Sequence, residues 1–227
     1  MSTHATGLPM HSRDGARWIF DPGALCLEFL VTGGPGRLAR WETLNRPDDL
    51  RTWLAASRLH LDPAQVDVTA EALASARGVR DALWRLIHDA AHGTGEEVGE
   101  DAGEDADLTP TDADLAEVNR AAARPPLAPL IGADGTRDWQ LPADAEQVVS
   151  TVARDAIDLL TGPFADRIRE CDAHNCQLIF VDTSRPGRRR WCSMERCGNR
   201  HKLRAHRARR DPKDKKGTHE PEEVPSP

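Results

Sequence analysis

Four of the five cysteines fall between Cys171 and Cys197, as two C-x4-C pairs separated by fifteen residues. Within each pair a single tight turn is enough to aim both sulfurs at one point. Four thiolates converging in this way form the closed tetrahedral set that a structural Zn2+ takes. Two other chemistries fit less well. A pair of disulfides needs an oxidising compartment, and nothing in the sequence suggests export. A thioredoxin-type redox pair is C-x-x-C beside a βαβ unit, and neither is present. Cys171, Cys176, Cys192 and Cys197 are therefore the expected ligands of one structural zinc. His174 lies inside the first pair and is an alternative ligand by position, but it reads as a surface residue because four sulfurs already fill the shell. Cys26 has no partner near it and reads as a small buried hydrophobe.

The fifteen intervening residues, QLIFVDTSRPGRRRW, read as a β-hairpin. Gln177 to Val181 is apolar and β-prone, Ser184-Arg185-Pro186-Gly187 carries turn chemistry, and Arg188 to Trp191 returns. Gly198-Asn199 then caps a helix that runs without a breaker from Arg200 to Arg210. The order is knuckle, hairpin, knuckle, helix, an arrangement similar to a treble clef.

The run RRRWCSMERC at Arg188 to Cys197, followed by Cys197-Gly198-Asn199-Arg200 and preceded by Phe180, Val181, Asp182 and Ser184, resembles the CGNR zinc-finger family of bacterial proteins. The likeness covers about forty residues. Members carry the finger behind an N-terminal helical domain called ABATE and are associated with stress-induced transcription regulation. The resemblance implies that the four zinc ligands are those named above, and that the partner is DNA. An apolar segment near Val31-Thr32 departs from the family pattern, which ends in Asn-Thr there.

Charge supports a polyanionic partner independently. Residues 1–166 carry 14 basic and 28 acidic side chains, whereas residues 167–216 carry 16 basic and 6 acidic ones. A formal net charge of −7 thus conceals a basic module on an acidic body, an asymmetry that points to nucleic acid. Arginine outnumbers lysine 26 to 4, as in Arg-rich chains generally, so placement rather than abundance carries the inference. No run of eighteen apolar residues occurs, so no membrane span is expected. The N-terminus lacks the apolar core of a signal peptide. With thiols arranged for zinc, the expected location is a reducing cytoplasm.

The rest of the chain predicts helices. Residues 1–17 are polar and unpatterned and read as disordered. Trp18 to Gly34 is apolar, but its periodicity fits a strand or a helix. Arg46-Pro47-Asp48-Asp49 starts a helix reaching about Ser57. Leu73, Ala76, Val79, Leu83, Leu86, Ile87 and Ala90 form one stripe of a long helix from Val68 to His92. Gly78 in that stripe marks a close crossing or a kink, and Trp84 with His88 reads as flank packing. Residues 93–107 are acidic and of low complexity, a loop with too little apolar surface to fold. Thr109-Pro110 caps a helix to about Ala123 with Leu115 and Val118 inward. Leu127 to Leu141 reads as a hairpin anchored by Trp139, and Asp144 to Leu160 as the last core helix, on which the finger packs. The expected fold is mainly α with short β-hairpins (α+β): an N-terminal helical domain over 18–165 and a treble-clef-like four-cysteine zinc finger over 166–210, followed by a disordered tail over 211–227.

On a helical wheel Arg200, Arg204 and Arg207 share one face, and Lys202, His206 and Arg209 lie nearly opposite. Arg200, Lys202, Arg204, Arg207, Arg209 and Arg210, with the hairpin residues Arg188, Arg189 and Arg190, are the expected contacts to double-stranded DNA. The N-terminal domain would take a small-molecule or protein signal or mediate homodimerisation. The competing reading is a thiol and zinc redox sensor, or an RNA- or protein-binding zinc module. No catalytic role is expected: a treble-clef nuclease needs a histidine on the hairpin, and this one has none.

Overall fold

The computed structural model describes residues 7–11, 15–93, 106–173 and 175–210, the last six by backbone only. The segments 94–105 and 211–227, where the acidic loop and the tail are expected, lie outside the described residues.

Helices build the body. The long helix α3 (Ala70–His92), numbered after α1 (Leu25–Leu30) and α2 (Pro47–Ala56), packs against α4 (Asp112–Ala122) and α5 (Ala145–Thr161), and α4 and α5 pack on each other. Each start is fixed by a side chain that satisfies an orphan N–H of the first turn. Thr69 Oγ1 accepts from Ala72 N, Thr111 and Asp114 form a reciprocal box, and so do Asp144 and Gln147. Asp49 accepts from the backbone N–H of Arg46 at the head of α2.

The expected stripes are the buried ones. Leu73, Ala76, Val79, Leu83 and Ile87 of α3 meet Val148, Val149, Val152, Ala156 and Leu159 of α5 in one core. Leu115 is half exposed instead of inward, because α4 turns Val118, Ala121 and Ala122 to the core. Gly78 marks no close crossing: a methyl there would meet nothing nearer than Glu117 Oε1 at 4.0 Å. Cys26 is fully buried, and burial together with Asp155 pushes its thiol well above the usual range.

Short strands pair around this body. β1 (Leu8–His11) and β2 (Arg17–Phe20) form an antiparallel pair, with Leu8 opposite Phe20. Disorder throughout residues 1–17 is thus corrected for Leu8–His11. The segment is too short and polar to fold alone, but Leu8 is buried in the body and Phe20 is fully buried against the cysteines. The ambiguous run that follows splits into strand β2 and helix α1, whose six residues are all buried. β3 (Val66–Asp67) pairs in parallel with β6 (Ala143–Asp144), and β4 (Pro129–Ile131) with β5 (Arg137–Trp139) as the expected hairpin. Trp139 anchors it by donating from Nε1 to the Leu59 carbonyl at 3.1 Å. Ala106–Leu108 is a 3-10 turn with Leu108 buried, so the acidic loop does not extend unbroken to residue 107. No described helix is long and apolar enough to cross a membrane.

Strand β7 (Ile168–Glu170) leads into the cysteines and pairs antiparallel with β8 (Ile179–Val181). This replaces the expected hairpin. The turn at Ser184 to Gly187 forms, with Gly187 N–H on the Ser184 carbonyl and a positive φ of 61° that glycine tolerates, but Arg188 to Trp191 makes no strand. β8 pairs instead with the residues before the first knuckle, so the knuckle is itself the hairpin loop. Successive side chains of a strand point to opposite faces. Ile179 and Val181, with Ile168 across from Val181, enter the helical core, while Phe180 between them lies on the cysteines. The finger is therefore joined to the body through a shared strand, and its main neighbour is α3 rather than α5.

Candidate metal centre

The four sulfurs converge. Each of Cys171, Cys176, Cys192 and Cys197 places Sγ within 4.8 Å of the others. The Cys176–Cys192 separation is 3.7 Å and the Cys192–Cys197 separation 3.5 Å. A tetrahedral zinc with bonds of about 2.3 Å needs sulfurs about 3.8 Å apart, whereas a disulfide needs about 2.05 Å. The spacing fits the metal. All four are free thiols, and Cys171, Cys192 and Cys197 are buried.

Local backbone geometry produces this convergence. Cys176 N–H donates to the Ala173 carbonyl at 2.8 Å, closing the first knuckle. In the second, Cys197 N–H and Gly198 N–H both donate to the Ser193 carbonyl, so Met194–Gly198 is a wide π-turn that runs directly into α6 (Asn199–Arg210). Asn199 is already helical and donates back to the Glu195 carbonyl at 3.3 Å rather than capping the helix. Cys197 accordingly sits in the turn that runs straight into α6, and a metal held there clamps the start of the helix. Gly198 packs closely here: a Cβ would lie 2.7 Å from Met194 Sδ and 3.3 Å from Trp191 Cδ1, so a larger residue would push the half-exposed Met194 side chain aside.

The electrostatics divide the four thiols into two lowered and two raised. Hydrogen bonds from Cys171, Cys176 and Cys192 hold the Cys197 thiol well below its usual range, and Arg200 adds a donor to its Sγ at 3.2 Å. Cys171 is lowered to about 7, by Cys176 and Cys192 first and also by the Cys192 N–H at 3.3 Å. Cys176 and Cys192 are raised, first by their sulfur neighbours and also by burial, so theirs are the protons harder to remove. Zinc supplies the charge needed to displace them.

Around the sulfurs lies a small apolar shell of Phe20, Phe180 and the partly buried Trp18 and Trp191. Phe20 comes from the other end of the chain, and periodicity gave no sign of its role. Asp182 organises the turn: its carboxylate accepts from Ser184 N and Arg189 N at 2.9 and 2.8 Å. Burial raises that carboxyl, but these bonds and Arg167 outweigh it and hold Asp182 below the usual carboxylate range.

The expected DNA contacts separate into two groups. Arg189 is half-buried: its guanidinium lies over the Phe180 ring at 4.1 Å and donates to the Trp191 and Cys192 carbonyls. Arg200 serves Cys197. Arg190 is exposed but pairs with Asp172 at 2.6 Å and lies over Trp191. Arg188, Lys202 and Arg204 are exposed. Trp191 stacks on His201, with ring centroids 4.7 Å apart, so this indole packs against α6. The side chains of Arg207, Arg209 and Arg210 lie outside the described residues.

Residues 167–210 match the CGNR zinc finger family model, and residues 23–163 match the ABATE family model, whose description is "Putative stress-induced transcription regulator". The curated proteins contain no match to the chain. The matched finger holds all four converging sulfurs, and the donor set is that of one structural zinc. The matched helical span covers more than half of the sequence, and on that ground the chain belongs to the ABATE family and ends in a CGNR zinc finger.

Proposed function

We propose that this regulator binds double-stranded DNA through α6 and the loop before it, with zinc holding the helix in place. One observation carries the reading: α6 has a mean hydropathy too polar to fold by burying a face, yet the turn that leads directly into it holds a zinc ligand, Cys197, with Lys202 and Arg204 exposed just beyond. A short isolated helix is marginal in water, so the metal maintains a rigid cationic surface. Arg188, Lys202 and Arg204 are the phosphate contacts of this reading. Arg190 joins them on release from Asp172, and Arg207, Arg209 and Arg210 extend the same basic run. Arg189 and Arg200 act by shaping the finger. The role is one of binding rather than catalysis, in a cytoplasmic setting, and the ABATE body receives the signal.

The test is binding of the zinc-loaded full chain to random-sequence duplex across a salt series. The expected result is steep salt dependence that chelation abolishes. Lys202→Ala and Arg204→Ala should each weaken binding and reduce the slope of log K against log salt by about one. Absence of binding at low salt, or slopes unchanged in both variants, overturns the reading.

A further inference from the structure

A second group of metal-competent side chains lies where the body meets the finger. His88 and His92 are one turn apart near the end of α3, so both imidazoles project from the same face. Glu170 is the last residue of β7. Its partner across the ladder is Ile179, so its side chain shares the strand face that is turned to α3. His92 Nε2 is 3.4 Å and His88 Nε2 3.8 Å from the same oxygen, Glu170 Oε2. The three ligand atoms all lie within 4.8 Å of one another.

We propose that His88, His92 and Glu170 form a second metal site, for a divalent first-row transition-metal ion. Two imidazoles and one carboxylate are a donor set that such ions take. Ligand atoms about 2.0–2.1 Å from a tetrahedral ion stand roughly 3.3 Å apart, so the His92–Glu170 spacing already fits and His88 needs to close by a few tenths of an ångström. His92 Nδ1 lies 2.9 Å from the His88 carbonyl. With the proton on Nδ1, this contact orients the ring and leaves the Nε2 lone pair facing the site, the outer-shell arrangement that ligating histidines use. The site also sits at the C-terminal end of α3, where the helix dipole favours a cation.

The site differs from the finger in kind. Three protein ligands leave a coordination position open to water or a small anion. The His88 and Glu170 side chains are 14% and 20% exposed, but that of His92 is 47% exposed, so an ion can enter and leave. Its ligands come from the body and from the residue immediately before Cys171. An exchangeable ion there ties α3 to the strand that delivers the first zinc ligand. This inference does not depend on DNA binding.

The experiment uses the full chain with zinc in the four-cysteine finger, stripped of loosely held metal by a mild chelator and titrated with Co2+. One further equivalent is expected, with ligand-field absorption but no thiolate-to-metal charge transfer. His92→Gln and the isosteric Glu170→Gln should each weaken that binding by at least a hundredfold, beyond the roughly 10–100-fold cost of an outer-shell change. Both should keep one finger zinc per chain. His11→Gln, an exposed histidine elsewhere, should leave the titration unchanged. The proposal fails if wild type takes no further equivalent, if the equivalent persists in both variants, or if cobalt appears only with thiolate charge transfer and release of zinc.

Discussion

The helical body and the finger are each gathered around a buried positive charge, but the body's charge belongs to the chain and the finger's does not. In the body the charge is Arg80, which is fully buried. Its guanidinium donates to both carboxylate oxygens of Glu42 at 2.8 and 2.7 Å, to Asp81 at 2.9 and 3.0 Å, and reaches the Thr32 carbonyl. In the finger the charge is zinc, held by four sulfurs. Around Arg80 lies a broad apolar core; around the sulfurs, only a few aromatic rings. A region with a large core needs its cation for register and polar satisfaction, whereas a region with a small core needs it in order to fold.

Removing zinc should therefore have the largest effect and separate the two regions. Structural zinc contributes about 10–16 kcal/mol of apparent free energy in small fingers. Chelation should unfold 171–210 and change the fluorescence of Trp18 and Trp191, while far-UV circular dichroism retains the signal of α3, α4 and α5. The body should melt at a lower temperature, because Ile179 and Val181 belong to its core. Fluorescence and protease resistance unchanged by chelation would mean that the finger folds without its ion.

A smaller effect locates the junction. Phe20 lies outside both matched family segments, yet it is fully buried against Cys171, Cys192 and Cys197. Phe20→Ala should destabilise by about 3–5 kcal/mol and speed loss of zinc to a chromophoric chelator. Leu83→Ala, in the centre of the body, should cost about 2–5 kcal/mol and leave zinc retention near wild type. Equal zinc retention in the two variants would show that the β1–β2 pair is not part of the finger's fold.

This contrast also explains what could be read from the sequence. The zinc ligands were legible because each pair is local: two cysteines five residues apart need only a turn. The stripes of α3 and α5 were legible because helical period repeats over many residues. Phe20, His88 and Glu170 were not, because each acquires its neighbours from a segment far along the chain. The misassigned hairpin has the same cause. Gln177 to Val181 is β-prone and a turn does follow it, but pairing goes to whichever strand can supply free backbone groups. Asp182 takes the Arg189 N–H, and the Arg190 carbonyl accepts from Asp172 N–H. The return limb is thereby committed elsewhere, and β7 becomes the partner. The surface arginines could not be sorted on a wheel either, because Arg189 and Arg200 are claimed by a ring and a sulfur that the wheel does not contain.

The smallest effect tests whether Arg80 is the body's counterpart of the zinc. Burial raises the Glu42 carboxyl, but Arg80, the Leu44 N–H and Arg77 outweigh it, and the group is held below its ordinary value of 4.5. A carboxyl lowered by folding adds stability above its unfolded value, and that stability is lost as pH falls through the folded value. Glu42→Gln keeps the shape but turns an amide toward two guanidiniums. At neutral pH it should cost roughly 1.5–3 kcal/mol, the range for hydrogen bonds to charged groups. Urea midpoints of the two proteins should converge as pH drops below 4.5, since wild type then loses the charge that the variant never had. A gap that stays constant through that window would mean that Glu42 acts by packing alone, and Arg80 would owe its place to Asp81 and the Thr32 carbonyl.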